Sequence, residues 1–581
     1  MSAAAVPAYE WQDLDWRLIA RRVFKLQKRI YKASCRGNTK TVHKLQRLLM
    51  RSWSAKCLAV RKVTQDNRGK KTAGVDGMKS LAPAGRLRLV TLLSITAKPQ
   101  PTRRIWIPKP GTDDKRPLGI PVLRDRATQA VVKLALEPEW EAHFEAHSYG
   151  FRPGRSAHDA QQALFNGIRY KPKFVLDADS AKCFERINHD ALLEKLHTFP
   201  TLRRAIKGWL TAGVMDGPEL FPTLVGTPQG GVLSPLLANI ALHGLEATIR
   251  ASFPRTARRQ GKVAPGWTPI VIRYADDFVI LHEDRGVIET AQQVTADWLT
   301  GLGLELKPSK TRITHTLTRT EEGNVGFDFL GWNIRQHPVG KYHTGKNTTG
   351  QPLGFKTIIT PSKEARKRHQ AALATIVNTG KADTQDRLIL RLNRLTHGWV
   401  NYHATGVAKK AFSHMQRLLF RKLWHWARRR HPHKSANWVA KKYWHLDGVR
   451  KWDFHVREGP RLYQHTEKAI MRHVKVEGTK TPFDGDWVYW ATRLGRHPDL
   501  HAEVAYLLRK QHGRCTWCGL YFTNADLRES DHIIPKRRRL KVGWSEKQLL
   551  HGHCHDSKTA QDGSYARGTG DNEPETEEPD A

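Results

Sequence analysis

Hydrophobic positions recur three and four residues apart near the N-terminus, through Ile19, Val23, Leu26 and Ile30 and then Val42, Leu45 and Leu49. That period predicts amphipathic helix over residues 8–58. It stops in the basic, glycine-containing stretch Arg61–Gly77. Residues 103–107 read as a short strand before the turn-rich segment Pro108–Pro117. Helical spacing returns near residues 122–140, 156–168 and 188–211. Between the last two, Phe174–Leu176 forms an apolar strand that ends at Asp177, Ala178 and Asp179. Two more apolar runs, Pro269–Tyr274 and Phe278–Leu281, flank Ala275–Asp277 and predict a hairpin with an acidic turn. Residues 363–430 are strongly helical and basic until Pro432 and His433 interrupt them. An aromatic, basic and less regular stretch covers 435–500, and a small Cys/His module fills 510–560. The last eleven residues, Asp571–Ala581, carry six acids and two prolines and read as a disordered tail.

This order predicts a multidomain α+β chain with boundaries near residues 80, 350, 480, 508 and 565. Its 581 residues are 39 % hydrophobic, enough for several cores. The longest apolar runs, such as Val232–Leu242, contain Ser and Asn and are too short to span a membrane. Met1–Trp11 lacks the basic patch and apolar core of a secretory signal. Six cysteines, only three of them close in sequence, give no disulfide framework and fit a reducing compartment.

Charge narrows the class of partner. Lys and Arg number 97 against 55 Asp and Glu, a net +42. Such a field favours a polyanion through steering and counterion release. Basic residues also sit among aromatics, as at Trp424, Trp426 and Arg428–Arg430, a mixture suited to phosphate contact beside stacking. Charge does not distinguish RNA from DNA.

The carboxylates supply candidate chemistry. Nucleotidyl transfer with two divalent ions about 4 Å apart needs acidic side chains gathered at one point. Asp276 and Asp277 sit in a turn between apolar strands, and Asp179 ends a third. If those strands are neighbours in one sheet, the three acids converge at its edge. Strand alternation would send Asp276 and Asp277 to opposite faces, so turn geometry decides what each reaches; Asp276 is expected to be the nearer ligand. An isolated Asp-Asp pair is by itself an ordinary solvated turn. The ordered set of motifs around it changes that reading.

Those motifs are Thr72–Gly77 (TAGVDG), Arg116–Pro121 (RPLGIP), Gly150–Ser156 (GFRPGRS), Asp179 with Cys183 and Phe184, Thr227–Gly231 (TPQGG) with Ser234 and Pro235, Tyr274–Asp277 (YADD), Lys307–Thr311 (KPSKT) and Phe329–Trp332 (FLGW). In this order, over about residues 10–560, the chain resembles the bacterial group II intron-encoded proteins, which combine reverse transcriptase, maturase and endonuclease activities. The resemblance implies an N-terminal extension (1–80), reverse transcriptase fingers and palm of right-hand polymerase form (81–350), a helical thumb and maturase region (351–480), a DNA-binding linker (481–508), a zinc-binding ββα HNH domain (509–565) and a tail (566–581).

The same resemblance implies residue roles. Asp179 and Asp276 would be the main ligands of two Mg2+ ions, with Asp277 supporting. Lys109 and Arg116 would meet the triphosphate of the deoxynucleotide. Phe184 would pack where a 2′ hydroxyl would otherwise sit, Gln229 would line the pocket shaped by Pro228 and Gly230, and Lys310 would lie near the leaving pyrophosphate. Within 412–430, Phe412, Met415, Leu418, Leu419 and Leu423 are expected in the core, leaving Arg417, Arg421, Lys422 and Arg428–Arg430 for the RNA backbone. The implied partners are group II intron RNA, an RNA template with a DNA primer, and double-stranded target DNA, in the bacterial cytoplasm and at the nucleoid.

Cys515-x-x-Cys518 and His551-x-x-Cys554 bracket a small segment and predict a structural zinc site, with His553 competing for the place of His551. Asp531, His532 and His555 are interleaved with it, as in HNH nucleases. There the resemblance assigns Asp531 and His555 to one divalent metal and His532 to the general base. Where the family usually has an asparagine that steadies the turn carrying the base, the resemblance puts either Glu546 or no equivalent residue within Gly543–Gln548. A zinc knot surviving only as a DNA-binding clip is the alternative. A retron-like or defence-associated reverse transcriptase would share the polymerase motifs but typically lacks both the 390–450 region and the HNH module. A splicing cofactor with decayed sites would not be expected to keep all three acids. An HNH homing endonuclease would leave the polymerase-like order unexplained.

Overall fold

The computed structural model describes residues 10–108, 115–179, 183–254, 256–259, 262–265, 267–321, 325–447, 450–486, 489–490, 493, 502–522, 526–534 and 543–561. The acidic tail and Lys109 lie outside these residues.

The N-terminal helical pattern is realised as three helices, Trp16–Cys35, Thr39–Arg51 and Trp53–Arg61. The first break falls at Gly37, whose φ of +67° suits glycine best. Asp15 and Asn38 cap the first two helices by accepting the Leu18 and Thr41 N–H groups at 2.9 and 3.0 Å. Their apolar faces, through Ile19, Val23, Ile30, Leu45 and Leu49, share one core with the helix Leu123–Glu141. Two other expected helices are also divided. Residues 188–211 form His189–Lys195 and Pro200–Leu210, because Pro200 has no N–H to continue the first helix but suits the start of the second. Residues 363–430 form Lys363–Thr379, Gln385–His403 and Lys409–Arg430, the first ending at Gly380.

Two four-stranded sheets follow. The first runs in the order Lys115–Ile120, Thr102–Pro108, Val214–Asp216 and Glu219–Phe221. The second runs Arg312–His315, Phe174–Asp179, Asp277–His282 and Ile270–Tyr274, all antiparallel. This second sheet is buried on both faces. Val175, Ile272, Val279 and Leu281 pack with the helix Ala157–Ile168, whereas Leu176, Val271, Phe278 and Ile280 pack with Ile288 and Ala291 of the helix Arg285–Thr300. Central strands buried on both sides read as continuous apolar runs, which explains their sequence pattern.

A three-stranded sheet, Phe327–Phe329, Trp332–Pro338 and Phe355–Pro361, leads into the helical region. That region has its own core, including Leu388, Leu392, Leu419, Leu423 and Trp426. It docks on the second sheet's side of the molecule where Tyr402 stacks on Trp332 at 4.4 Å. Asp159 pins the later chain to the helix Ala157–Ile168. Its buried carboxylate accepts the Val476 N–H at 2.7 Å and meets His473 at 3.1 Å and the Arg493 guanidinium. Burial alone would raise this carboxyl, but His473 and Arg493 hold it well below the usual carboxylate range.

The C-terminal module is a ββα unit, Arg528–His532, Lys547–His551 and Gly552–Gln561, with a separate core around Leu507, Phe522, Leu549 and Leu550. The chain is thus a multidomain α+β protein with a distinct C-terminal Cys/His cluster. No helix among the described residues is long and apolar enough to cross a membrane.

Candidate functional site

The hairpin Ile270–Tyr274/Asp277–His282 closes through a two-residue turn, Ala275 and Asp276, with Tyr274 paired to Asp277. Ala275 has a φ of +58°, a left-handed conformation that costs an alanine of order 1–3 kcal/mol and persists only where its surroundings impose it. The surroundings here are specific. Gly150 lies so close that a Cβ on it would overlap the Ala275 backbone nitrogen. The Gly150 carbonyl accepts Asn239 Nδ2 at 2.7 Å, and Asn239 Oδ1 accepts Arg273 Nη1 at 3.1 Å. The same Arg273 nitrogen donates to the Ala275 carbonyl at 3.1 Å. The turn is therefore clamped by a buried amide and a buried guanidinium.

Glu145 faces this clamp, 3.9 Å from Arg273. Burial alone would raise the Glu145 carboxyl, but His243, whose Nδ1 lies 3.0 Å away, and the charge of Arg273 bring it down to about 2. Arg152 completes the support. It meets Glu141 with two hydrogen bonds of 2.9 Å and donates to the Glu145 and Ser148 carbonyls, all inside the protein. Sequence reasoning did not single out Asn239 or Arg273. A signal was present, because each is a polar residue inside an otherwise apolar element.

The sheet register sets Asp179 directly opposite Asp277. Asp276 and Asp277 are both half-buried. Three carboxylate-bearing positions therefore share one sheet edge, and hard oxygen donors of this kind suit Mg2+. Lys310 is exposed and lies two residues before Arg312, the register partner of Asp177. That places it at the same end of the sheet as Asp179.

A cleft of about 270 Å³ lies nearby, lined by Gly119, Phe184, Gly226, Thr227, Pro228 and Gln229 among others. The Gly119 N–H donates to the Gln229 carbonyl at 2.7 Å, and the Thr227 N–H to the Phe184 carbonyl at 2.5 Å. Gly226 has a φ of +84°, and a Cβ there would come within 2.5 Å of the Glu185 carbonyl, so this close crossing requires glycine. The Phe184 ring meets Phe151 edge-on at 6.2 Å. The structure thus brings Phe184 and Gln229 into one cleft. Arg116 is exposed on the strand Lys115–Ile120, opposite Ile107, and is not among the residues lining that cleft. Exposed Trp106 and partly buried Arg104 line it too, both held by Asp216.

On the helix Lys409–Arg430, Phe412, Met415, Leu419 and Leu423 are buried, Leu418 is half-buried, and Arg417, Arg421, Arg428 and Arg429 are exposed. Lys422 is half-buried. Arg430 is engaged internally, donating to the Lys381 and Asp383 carbonyls at 3.0 and 2.8 Å.

In the C-terminal module, the ligand atoms of Cys515, Cys518, His551 and Cys554 lie within 4.8 Å of one another, and all four residues are buried. His551 Nδ1 is 3.3 Å from Cys518 Sγ and 3.8 Å from Cys554 Sγ. Tetrahedral zinc with three thiolates and one imidazole calls for ligand separations of about 3.3–3.8 Å. The donor set fits that ion. His551 Nε2 lies 3.6 Å from Asp526, the kind of carboxylate that orients a ligating imidazole. His553 takes no part. It stacks on His551 and meets Trp16 of the first helix edge-on at 6.1 Å.

Beside this cluster, Asp531 and His532 sit on the strand Arg528–His532 and His555 on the following helix. His555 Nε2 is 3.7 Å from Asp531 Oδ1, and its Nδ1 is 2.6 Å from Glu529. The space between an imidazole nitrogen and a carboxylate oxygen at that separation suits one divalent ion. The Glu546 carbonyl accepts the Ile533 N–H at 3.0 Å, just beyond His532.

Comparison with known proteins gives four family matches in chain order: the N-terminal domain of reverse transcriptase over residues 11–93, reverse transcriptase (RNA-dependent DNA polymerase) over 107–334, the group II intron maturase-specific domain over 366–444 and HNH endonuclease over 515–561. The protein YkfC of Escherichia coli is 32 % identical over 331 residues, covering 50 % of this chain and 83 % of that protein. The group II intron-encoded protein LtrA of Lactococcus lactis is 40 % identical over 157 residues, 26 % of each chain. This chain belongs to the group II intron-encoded reverse transcriptase/maturase family and carries an HNH endonuclease domain. A 91 kDa protein in the cob intron of Schizosaccharomyces pombe is 27 % identical over 359 residues, covering 52 % of this chain and 43 % of its own length. Among such relatives the shared part of this reverse transcriptase/maturase is less than half of LtrA and of the yeast protein. The maturase match contains the exposed arginines of Lys409–Arg430, and the HNH match contains both the Cys/His cluster and Asp531.

Proposed function

We propose that the chain copies RNA into DNA at the edge of its second sheet, as a right-hand polymerase whose palm is that sheet and whose fingers carry Thr102–Pro108 and Lys115–Ile120. The single observation that carries this reading is the register that sets Asp179 opposite Asp277, one residue from the clamped Asp276. Asp179 and Asp276, with Asp277 supporting, would hold two Mg2+ ions, which would lower the pKa of the primer's 3′ hydroxyl and offset charge on the leaving pyrophosphate. The 3′ oxygen forms its bond to the α-phosphorus of the deoxynucleoside triphosphate, and the bond to pyrophosphate breaks. Phe184 and Gln229 shape the sugar and base side of the pocket. Arg116, from the strand Lys115–Ile120, and Lys109 meet the triphosphate, and Lys310 approaches the leaving group. The guanidinium of Arg116 suits phosphate oxygens in pairs.

The helical region binds the group II intron RNA, mainly through phosphates and shape, and so helps the RNA splice itself. Asp531 and His555 would hold one divalent ion, which would polarise the scissile phosphate of target DNA. His532 takes a proton from the attacking water. The nicked strand then primes synthesis along the intron RNA. The altered position at Glu546 favours a second reading, a polymerase and maturase whose HNH module only grips DNA.

Primer extension on an RNA template separates these. The wild type incorporates deoxynucleotides with Mg2+ and Asp276→Ala does not; a wild type that incorporates none overturns the polymerase reading. Nicking of target DNA that survives His532→Ala, or is absent from the wild type, leaves the gripping module.

A further inference from the structure

Asp531 uses its two carboxylate oxygens differently. Oδ2 accepts Gln548 Nε2 at 3.1 Å and Lys558 Nζ at 2.9 Å, whereas Oδ1 faces His555 Nε2 at 3.7 Å. Gln548 is the register partner of Asp531 on the facing strand, so its reach is set by the sheet and not by a loop. Its other end is fixed as well. Gln548 Oε1 accepts the Thr516 hydroxyl at 2.7 Å, and Thr516 lies between Cys515 and Cys518 in the cysteine turn of the proposed zinc site. A primary amide donates from nitrogen and accepts at oxygen, so a single side chain joins the cysteine turn to the nuclease carboxylate. Glutamate at this position would set a second negative charge against Asp531, and leucine would offer no donor.

We propose that Gln548 is a positioning residue for the nuclease metal. It holds Asp531 so that Oδ1 points at the space shared with His555, and it is aligned by Thr516 of the cysteine turn. The arrangement supplies side-chain support to Asp531 from the facing strand. It also makes the structural metal site a determinant of the affinity for the catalytic ion, since Thr516 moves with Cys515 and Cys518. Partners one step removed from a metal ligand typically change affinity or activity 10- to 100-fold. This inference rests on the nuclease reading of Asp531, His532 and His555.

The test is a Mn2+ binding isotherm on the full chain, read by the electron paramagnetic resonance of free Mn2+, with polymerase-site binding removed by Asp276→Ala in every variant. Zinc content and thermal unfolding are measured alongside. Gln548→Met, of similar length but without the amide, is expected to weaken the nuclease-site affinity about 10- to 100-fold with zinc content unchanged. Thr516→Val is expected to weaken it several-fold and Thr516→Ser to restore it. Thr516→Val added to Gln548→Met should have no further effect, because the link is already broken. Wild-type affinity in Gln548→Met, or full additivity of the pair, overturns the proposal. A reference protein with Asp276→Ala alone that shows no site lost in Asp531→Ala overturns the nuclease reading and the inference with it. Loss of zinc in Gln548→Met would make the residue structural and likewise defeat the positioning role.

Discussion

The sheet end bearing Asp276 and the C-terminal Cys/His module each bring candidate metal ligands together, but they do so over different distances in the chain. At the sheet edge, Gly150, Asn239, Arg273 and Ala275 are drawn from across more than a hundred residues and meet inside a large core. In the C-terminal module, every group from Thr516 to Lys558 lies within about forty residues, around a core of a few side chains. A small unit of that size buries too little apolar surface to hold its shape alone, and a metal is the usual supplement. The first site is therefore expected to depend on buried polar packing, and the second on metal.

The sharpest way to break the comparison is to remove one group from each. Asp276→Ala should bring primer extension on RNA below detection and leave DNA nicking intact, while His532→Ala should do the reverse; loss of both activities in either variant would mean that the two regions are not independent. Stripping the structural metal, or Cys518→Ser, should come next. The expected result is loss of the C-terminal unfolding transition and of nicking, with primer extension retained. Calorimetry of the full chain with and without chelator reads this, provided Mg2+ is restored before activity is measured.

Acid should act on the helical region. Burial first, then neighbouring positive charge, lowers His403 to about 3 and His369 to about 3, and burial lowers His465 to about 4. His369 and His465 share a 2.8 Å contact, and His369 stacks on Trp399 at 4.3 Å. These histidines stay neutral when folded but protonate near pH 6.5 when unfolded. Their contribution is thus complete above pH 6.5 and is lost as pH falls towards 4 and 3. The slope is up to about 1.4 kcal/mol per pH unit for each titrating histidine. Denaturant midpoints between pH 7 and 4.5 measure it, and His403→Phe should flatten the curve.

The smallest expected effect sharpens the comparison from the other side. Asn239→Ala leaves the Gly150 carbonyl and Arg273 short of a partner and should cost about 1–3 kcal/mol. Primer extension should fall with it, because the turn carrying Asp276 loses its clamp. Nicking at a temperature where the chain is still folded should not change. Equal loss of both activities would point to general destabilisation.

Much of the candidate chemistry was legible beforehand because it lies in short motifs. YADD between two apolar runs announced a hairpin, and the paired Cys and His spacings announced a ligand cluster. The helix breaks at Gly37, Pro200 and Gly380 could also have been read from residue type. The spacing favoured His551 but left His553 competing, because the two differ by only two positions and either could join a cluster with Cys554. The structure distinguishes them by direction, with one ring turned to the cysteines and Asp526 and the other to Trp16.

By itself, the amino-acid order determined the basic character of the surface, the succession of helical and extended segments and the residues capable of holding metal, since each follows from local composition and spacing. Which of these meet was decided only by the tertiary structure. The pairing of Asp179 with Asp277, the Asn239–Arg273 clamp and the path from Thr516 through Gln548 to Asp531 all depend on strand register and on side chains converging from separate elements. In the second sheet, whose strands are buried on both faces, register depends on how each face fits its own covering helix and on the turn Ala275–Asp276, and the covering helices come from distant parts of the chain.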